Sequence, residues 1–273
     1  MPILTLTTDI GQQDYLVGAI KGQFLQADAT TNINDITHYL SPYNYLQAAY
    51  TCKNSFRHYP VNTFHLVIIN LFEDAANGML LAKHNNQFIA CPNNGILTMI
   101  TNERPREIVT LPPTANNSKG LLAYTQTVAT AYGAILKGEN LNNIAAPVVN
   151  LVEKYPLRSM LGENWMEGQI IFIDNFENVV VNITKEEFEE QRKGRSFKIL
   201  FSREVITELS DNYSTVSEGE LLAWFNSAGY LELAMNRGNM AGLFGLQGFS
   251  EKTNKGTALQ NKWFYQTVKI FFE

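Results

Sequence analysis

The chain has 273 residues, of which 45% are hydrophobic and 17% charged. That is an ordinary globular composition, which argues against disorder, and the length accommodates one large domain or two ordinary ones. The net charge of −5, with no long Lys/Arg cluster, argues against a nucleic-acid partner, because phosphate binding needs a positive surface.

The opening Met1-Pro2-Ile3-Leu4-Thr5-Leu6 carries no positive segment and soon meets Asp9, unlike a signal peptide. Ile3 to Thr8 reads as a β-branched strand broken at Gly11, and Asp14 to Leu25 as a helix whose Gly18 and Gly22 allow close packing on a sheet. Ile33 to Ile36 is a short strand. Pro42 precedes a helix with Tyr45, Ala49, Cys52 and Phe56 on one face. Phe64 to Asn70 is apolar without alternation, as in a strand buried on both faces. Met79 to Lys83 and Gln87 to Cys91 flank His84-Asn85-Asn86 and predict a hairpin; Gly120 to Leu136 predicts a helix ending near Gly138. This alternation predicts an α/β layer with a mostly parallel sheet. Ligands of such sheets bind at the carboxyl ends of strands, where Asp9 and Asn70 fall.

Beyond about residue 166 the pattern changes. Gln169–Ile173, Val179–Ile183, Phe197–Phe201 and Thr267–Phe272 read as strands, with one short charged helix at Lys185–Gln191, so a small β-barrel or sandwich is expected. The expected organisation is an N-terminal α/β domain over 1–155, a linker over 156–166 and a C-terminal domain over 167–273. The longest apolar runs, Leu66–Ile69 and Ile170–Ile173, are far short of a membrane span. Cys52 and Cys91 form no Cys-x-x-Cys pair and read as buried reduced thiols, so the expected location is cytoplasmic. His38, His58, His65 and His84 lack metal-ligand spacing, and no metal is expected. Asn116-Asn117-Ser118 fits a glycosylation sequon that a cytoplasmic chain would not use.

Leu6-Thr7-Thr8-Asp9-Ile10-Gly11, followed by Asp14-Tyr15-Leu16-Val17-Gly18 and Lys21-Gly22, resembles the opening signature of the S-adenosylmethionine (SAM) hydroxide adenosyltransferase and fluorinase/chlorinase family. Asp35-Ile36-Thr37-His38 with Pro42 and Ala48-Ala49 is similar to its next block, and Pro92-Asn93-Asn94-Gly95 to its Pro-Asp-Asn-Gly turn. Ile173-Asp174-Asn175-Phe176-Glu177-Asn178, Asn182-Ile183 and the run from Gly219-Glu220-Leu221-Leu222-Ala223 through Asn226-Ser227-Ala228-Gly229-Tyr230-Leu231-Glu232 to Asn236 resemble its later blocks. The resemblance implies a Rossmann-like domain followed by a β-barrel. It also implies a homotrimer with the site between subunits, and SAM or adenosine as ligand with no cofactor beyond SAM.

By that resemblance Asp9 binds both ribose hydroxyls, as one carboxylate can. Read without the family, it is a capping residue after a strand. Asp14 and Asp174 match positions that hold the methionine ammonium group; locally they are an N-cap and a turn residue. Asn178 matches an adenine-reading amide, or else a turn residue. Tyr213 matches an aromatic that packs on adenine and Tyr43 one near the ribose, though either could be core. Ser227 matches a serine near the methionine carboxylate, followed here by Ala228 where the halogenases carry arginine. Backbone N–H groups around Arg237 and Gly238 match a contact to adenine.

The family reaction is attack on C5′ with methionine leaving from the sulfonium. The hydroxide-using branch holds water with Asp, Arg and His. Those positions fall here at Asn70, near Asn77, and at Tyr124. An amide is no base at neutral pH. Glu73 or Asp74 is then either a displaced base or a solvated loop acid. Tyr124-Thr125 resembles the Tyr-Ser pair of the halide site, but a carboxylate at Glu73 would repel halide. The sequence therefore predicts a SAM-binding protein that hydrolyses SAM to adenosine and methionine, with weakened activity. The alternatives are a SAM/adenosine-binding module without turnover and, less favoured, a halogenase.

Overall fold

A computed structural model describes residues 1–73, 78–111, 120–201, 204–246 and 266–273. Asp74, Asn77 and the Asn116–Ser118 sequon lie outside the described residues. The chain divides into two compact units, Met1–Pro156 and Leu157–Glu273.

In the first unit, β1 (Ile3–Thr8), β2 (Asn32–Thr37), β3 (Phe64–Ile68), β4 (Met79–His84), β5 (Gln87–Pro92), β6 (Glu107–Leu111) and β7 (Ala146–Pro147) form one sheet, in the order β2-β1-β3-β5-β4-β6-β7. β1 pairs in parallel with β2 and β3, and β3 with β5. β4 is antiparallel to both β5 and β6, and β7 to β6. Only β4 and β7 therefore oppose the common direction, so the sheet is mostly parallel.

The apolar strand sequences are explained by helices on both faces. Leu4, Leu6, Leu66 and Ile68 pack with Ile20 and Phe24 of α1 (Leu16–Ala27) and with Val128 and Tyr132 of α4 (Leu121–Leu136). Val67, Ile69 and Leu80 face Ala48, Cys52 and Phe56 of α2 (Tyr45–Phe56) and Ile96, Leu97 and Ile100 of α3 (Ile96–Thr101). Each large apolar side chain so buried contributes about 1.5–3 kcal/mol before the entropy of ordering it. A short α5 (Leu141–Ile144) precedes β7. The chain passes from β1 to β2 on one side and returns to β3 on the other, so the strand order switches between β1 and β3. A crevice at such a switch point is the usual ligand site of an open α/β sheet.

The second unit is antiparallel. Its strands are β8 (Met160–Leu161), β9 (Trp165–Ile173), β10 (Val179–Thr184), β11 (Phe197–Phe201), β12 (Glu204–Ile206), β13 (Leu221–Phe225), β14 (Tyr230–Met235) and β15 (Thr267–Phe272). They run in the order β12-β11-β15-β9-β10-β14-β13, with β8 on β9. Just beyond β12, Ser210 N–H donates to Ala223 O of β13 at 2.8 Å, which brings the two edges of the sheet together into a nearly closed barrel. Met166, Ile170, Val181, Ile199, Leu233 and Ile270 fill its interior. Gly168 lets β9 and β10 approach closely: a Cβ there would lie 2.6 Å from Val181 Cγ1. The charged helix α6 (Lys185–Arg192) is started by a capping box between Thr184 and Glu187, and a short α7 (Met240–Leu243) follows β14.

Most expected elements are present, within a few residues at their ends. α1 starts at Leu16 rather than Asp14, because Asp14 serves as the turn before it. β8 and the start of β9 occupy part of the stretch 156–166. Among the described residues no helix is long and apolar enough to cross a membrane.

Candidate functional site

Asp9 follows β1 at the switch point. Its backbone N–H donates to Ile68 O of β3 at 3.1 Å, and its Oδ2 accepts the Asn70 N–H at 2.7 Å. Burial pushes the Asp9 carboxyl above the usual carboxylate range, against the Asn70 and own backbone N–H groups that favour the charged form. A carboxylate offers about four lone-pair sites, so the single Asn70 N–H leaves acceptor capacity.

The loop around Asp9 is braced from β2. Gly11, at φ +72°, donates its N–H to His38 O at 2.7 Å, a conformation that suits glycine. His38 is buried, and its Nδ1 lies 2.8 Å from Thr8 Oγ1. Its Nε2 lies 3.2 Å from Asp35 Oδ1, a contact outside hydrogen-bond geometry. Asp35 in turn pairs with Lys21 of α1 at 2.5 Å. Burial holds the His38 imidazole below its ordinary pKa, with Asp35 opposing.

Asn70 follows β3 in the left-handed region, at φ +48°, which asparagine tolerates better than most residues. Its carbonyl accepts from Asn94 Nδ2 at 3.2 Å; the same amide reaches Ile69 O at 2.8 Å. Asn93 grips the chain at Asn150 O (2.7 Å) and Val152 N (2.9 Å). The Pro-Asn-Asn-Gly turn thus fastens the end of β3. The Asn70 amide Nδ2 lies 3.5 Å from the Tyr45 hydroxyl, which donates to Glu73 Oε2. Glu73 N–H returns to Asn70 O at 3.1 Å.

The other expected residues of this unit are placed as follows. Asp14 is exposed, with Oδ1 on the Leu16 N–H at 2.8 Å. Tyr43 is 56% exposed. Tyr124 sits near the N-terminus of α4, its ring 6.5 Å from that of Phe72. Thr125 is fully buried, and its hydroxyl donates to Gln23 Oε1 at 2.6 Å.

In the barrel unit the turn between β9 and β10 is organised by Asp174. Its Oδ1 accepts from Phe176 N (2.8 Å) and Asn178 N (2.9 Å), and its Oδ2 from Asn178 Nδ2 (3.0 Å). Asn178 is 1% exposed, and its Nδ2 also reaches Tyr213 Oη at 2.8 Å. Sequence reasoning missed the centre of this cluster, Glu232. The buried carboxylate accepts from Tyr213 Oη (3.1 Å), Trp224 Nε1 (2.9 Å) and Asn226 Nδ2 (3.0 Å), with Asn178 Nδ2 at 3.4 Å. Its signal was its place at the end of the Gly229-Tyr230-Leu231-Glu232 block, which carried no role for the side chain. Burial and then Glu232 raise the Tyr213 phenol above its ordinary pKa, and its ring meets Trp224 edge-on at 5.0 Å.

Ser227 is exposed in the β13–β14 turn. Arg237 is exposed at φ +55°, paired with Glu218 at 3.2 Å, while the Gly238 N–H bonds Met235 O at 3.1 Å. The structure thus gathers Asp9, Asn70 and Glu73 in one unit, and Asp174, Asn178 and Tyr213 in the other. Among the described residues no group of three His, Cys, Asp or Glu could hold a metal ion.

Comparison with known families matches residues 4–145 to the SAM hydroxide adenosyltransferase N-terminal domain and residues 168–252 to the C-terminal domain of the same family. The chain belongs to the SAM hydroxide adenosyltransferase family. It is similar to the (R)-S-adenosyl-L-methionine hydrolase of Methanocaldococcus jannaschii, at 24% identity over 68% of this chain and 69% of that protein. The hydrolase of the same name from Thermus thermophilus is 22% identical over 88% and 94%. The fluorinase of Nocardia brasiliensis is 23% identical over 88% and 92%. A crystal structure of an uncharacterized conserved protein from Thermotoga maritima shares the fold, with a TM-score of 0.79 at 21% identity, covering 98% of this chain and 99% of that one. The crystal structure of a conserved hypothetical protein from Thermus thermophilus has a TM-score of 0.72 at 19% identity, covering 100% of both chains.

Proposed function

We propose that this member of the family binds SAM and hydrolyses it, weakly, to adenosine and methionine by attack of water or hydroxide at C5′. The observation that carries the reading is Asp9: a half-buried carboxylate at the switch point of an α/β sheet, with acceptor capacity to spare. Vicinal ribose hydroxyls are the donors that suit it. The hydrolase relatives supply the reaction class. Asp14 and Asp174 would hold the methionine ammonium group. Asn178, Tyr213 and the backbone near Arg237 would meet adenine, Tyr43 the ribose and Ser227 the methionine carboxylate.

Sulfonium is already a good leaving group, so the remaining task is to align and desolvate a nucleophile. Asn70 supports a second reading, in which SAM or adenosine is held without turnover, because its amide accepts no proton at neutral pH. No resident cofactor is needed for either. A cytoplasmic homotrimer, with each ligand shared between neighbouring copies, belongs to the same proposal; sedimentation equilibrium tests the stoichiometry.

Incubation of the purified protein with SAM, followed by chromatography, separates the readings. Adenosine and methionine in equal amounts above the protein-free rate support hydrolysis. SAM binding without product supports the second reading, and neither binding nor product removes both.

A further inference from the structure

Tyr45 and Lys154 take no part in the proposed binding of SAM. Tyr45 opens α2, half-buried, and its hydroxyl stands between Asn70 Nδ2 and Glu73 Oε2. Lys154 Nζ lies 3.5 Å from the same Glu73 oxygen and 4.2 Å from the centre of the Tyr45 ring. An exposed Lys–Glu pair alone would mean little, since two flexible side chains gain almost nothing by meeting in water. This pair is held more firmly. Lys154 N–H donates to Thr98 Oγ1 at 3.0 Å, and the same hydroxyl donates to Lys154 O at 2.6 Å. The lysine stem lies across Gly95, where a Cβ would come within 2.5 Å of Lys154 Cγ. Its ammonium then covers a tyrosine ring, a favourable cation–π placement.

Asn70 joins this cluster to the carboxylate. Its backbone N–H holds Asp9, and its side-chain amide faces Tyr45. A ribose gripped by Asp9 would therefore lie one residue away from a hydroxyl already directed at a carboxylate. Burial and Glu73 both push the Tyr45 phenol above its ordinary pKa, so it stays protonated and can pass a proton on rather than act as a phenolate.

We propose that Tyr45 and Glu73 form a proton relay for the water that attacks C5′, with Lys154 as the positioning residue that holds it. The proposal rests on the reading of Asp9 as the ribose-binding group. As the water oxygen bonds to C5′, the C5′–S bond breaks and its electron pair goes to sulfur, giving neutral thioether methionine. The water proton passes to Tyr45 Oη, whose own proton moves to Glu73. Glu73, with its side chain 42% exposed, then releases it to solvent. The sum is SAM and water giving adenosine, methionine and one proton.

The test is steady-state SAM cleavage by the full-length protein, with SAM binding measured separately by calorimetry. Tyr45→Phe and Glu73→Gln are each expected to lower kcat about 100-fold, with Kd for SAM within about threefold of the parent. Combining them should cost no more than either alone, because a relay fails as a unit. Lys154→Met should lower kcat about tenfold, again without a change in Kd. A kcat within threefold of the parent in Tyr45→Phe overturns the relay, as does SAM bound by the parent without adenosine being formed. A parent that fails to bind SAM overturns instead the reading of Asp9, and the relay falls with it. Should Glu73→Gln not fold, Tyr45→Phe decides alone, since it keeps the ring beneath Lys154.

Discussion

Asp9 is a half-buried carboxylate and Glu232 a buried one, and their surroundings satisfy them in very different ways. At the rim of the α/β sheet, the Asp9 carboxylate accepts the Asn70 N–H, and burial pushes its pKa up. In the barrel, Glu232 takes donors from Tyr213, Trp224 and Asn226, with Asn178 close by. A buried charge is tolerable when its lone pairs are filled. Glu232 meets that condition from within the chain and belongs to the scaffold that fixes Tyr213 and Asn178. Asp9 does not, and its shortfall is what a ligand with two adjacent hydroxyls would supply.

The contrast can be broken most directly by removing charge at each place. Asp9→Asn keeps an oxygen for the Asn70 N–H but loses the ionised acceptor. SAM affinity should fall by about 100-fold or more, given roughly 1.5–3 kcal/mol for each charge-assisted hydrogen bond. Because the raised pKa means that ionisation costs the folded state, the same variant should melt no lower than the parent. A lower melting point would make Asp9 a structural residue like Glu232. The wild-type affinity should also decline on acidification at a higher pH than an ordinary aspartate would dictate.

Glu232→Ala should have the opposite profile, losing about 3 kcal/mol of stability in denaturant titration, because the half-buried donors on Tyr213 and Trp224 and the buried Asn178 amide lose their acceptor. Little loss would show that water satisfies the barrel cluster and that the two carboxylates are alike.

His65 supplies a pH-dependent effect of similar size within the α/β unit. Its ring stacks on Phe56 at 3.7 Å, its Nδ1 meets Thr5 Oγ1 at 2.7 Å, and burial lowers its pKa to about 4. The unfolded chain takes up this proton near pH 6.5 and the folded one only near 4, so stability falls as pH drops through that window. The limit is about 3 kcal/mol. Urea midpoints between pH 7 and 4 measure it, and a pH-independent midpoint would contradict the assignment.

Gly95→Ala should cost about 1–2 kcal/mol, because φ is +98° and the new Cβ meets the Lys154 stem. The smallest expected effect is Asp14→Ala, about 1 kcal/mol through loss of the bond to the Leu16 N–H. A simultaneous loss of SAM affinity would show that Asp14 serves the ligand as well as the helix.

What could be read in advance follows the range of the interactions. β1 and β3 were legible because both faces are covered, which leaves unbroken apolar runs. The hairpin of β4 and β5 was legible from His84-Asn85-Asn86, where both asparagines adopt positive φ. α3 was not: all six of its residues are buried, so no polar face marks a helical period. β13 and β14 were quoted as motif and not recognised as strands, although Asn226 and Gly229 form the turn that pairs them. In the site, Asp174 and Asn178 are four residues apart and their partnership is local. Glu73 meets Tyr45 across 28 positions and Lys154 across 81, and Asn178 meets Glu232 across 54. No local pattern encodes such meetings; they arise only when the sheet and barrel close.

The central claim is that the Asp9 carboxylate grips the adenosyl part of SAM, and calorimetric titration of SAM into the parent and into Asp9→Asn tests it most directly. The account predicts saturable binding by the parent that weakens by about 100-fold or more in a variant folded as well as the parent. Equal affinities, or no heat of binding to the parent, would contradict it.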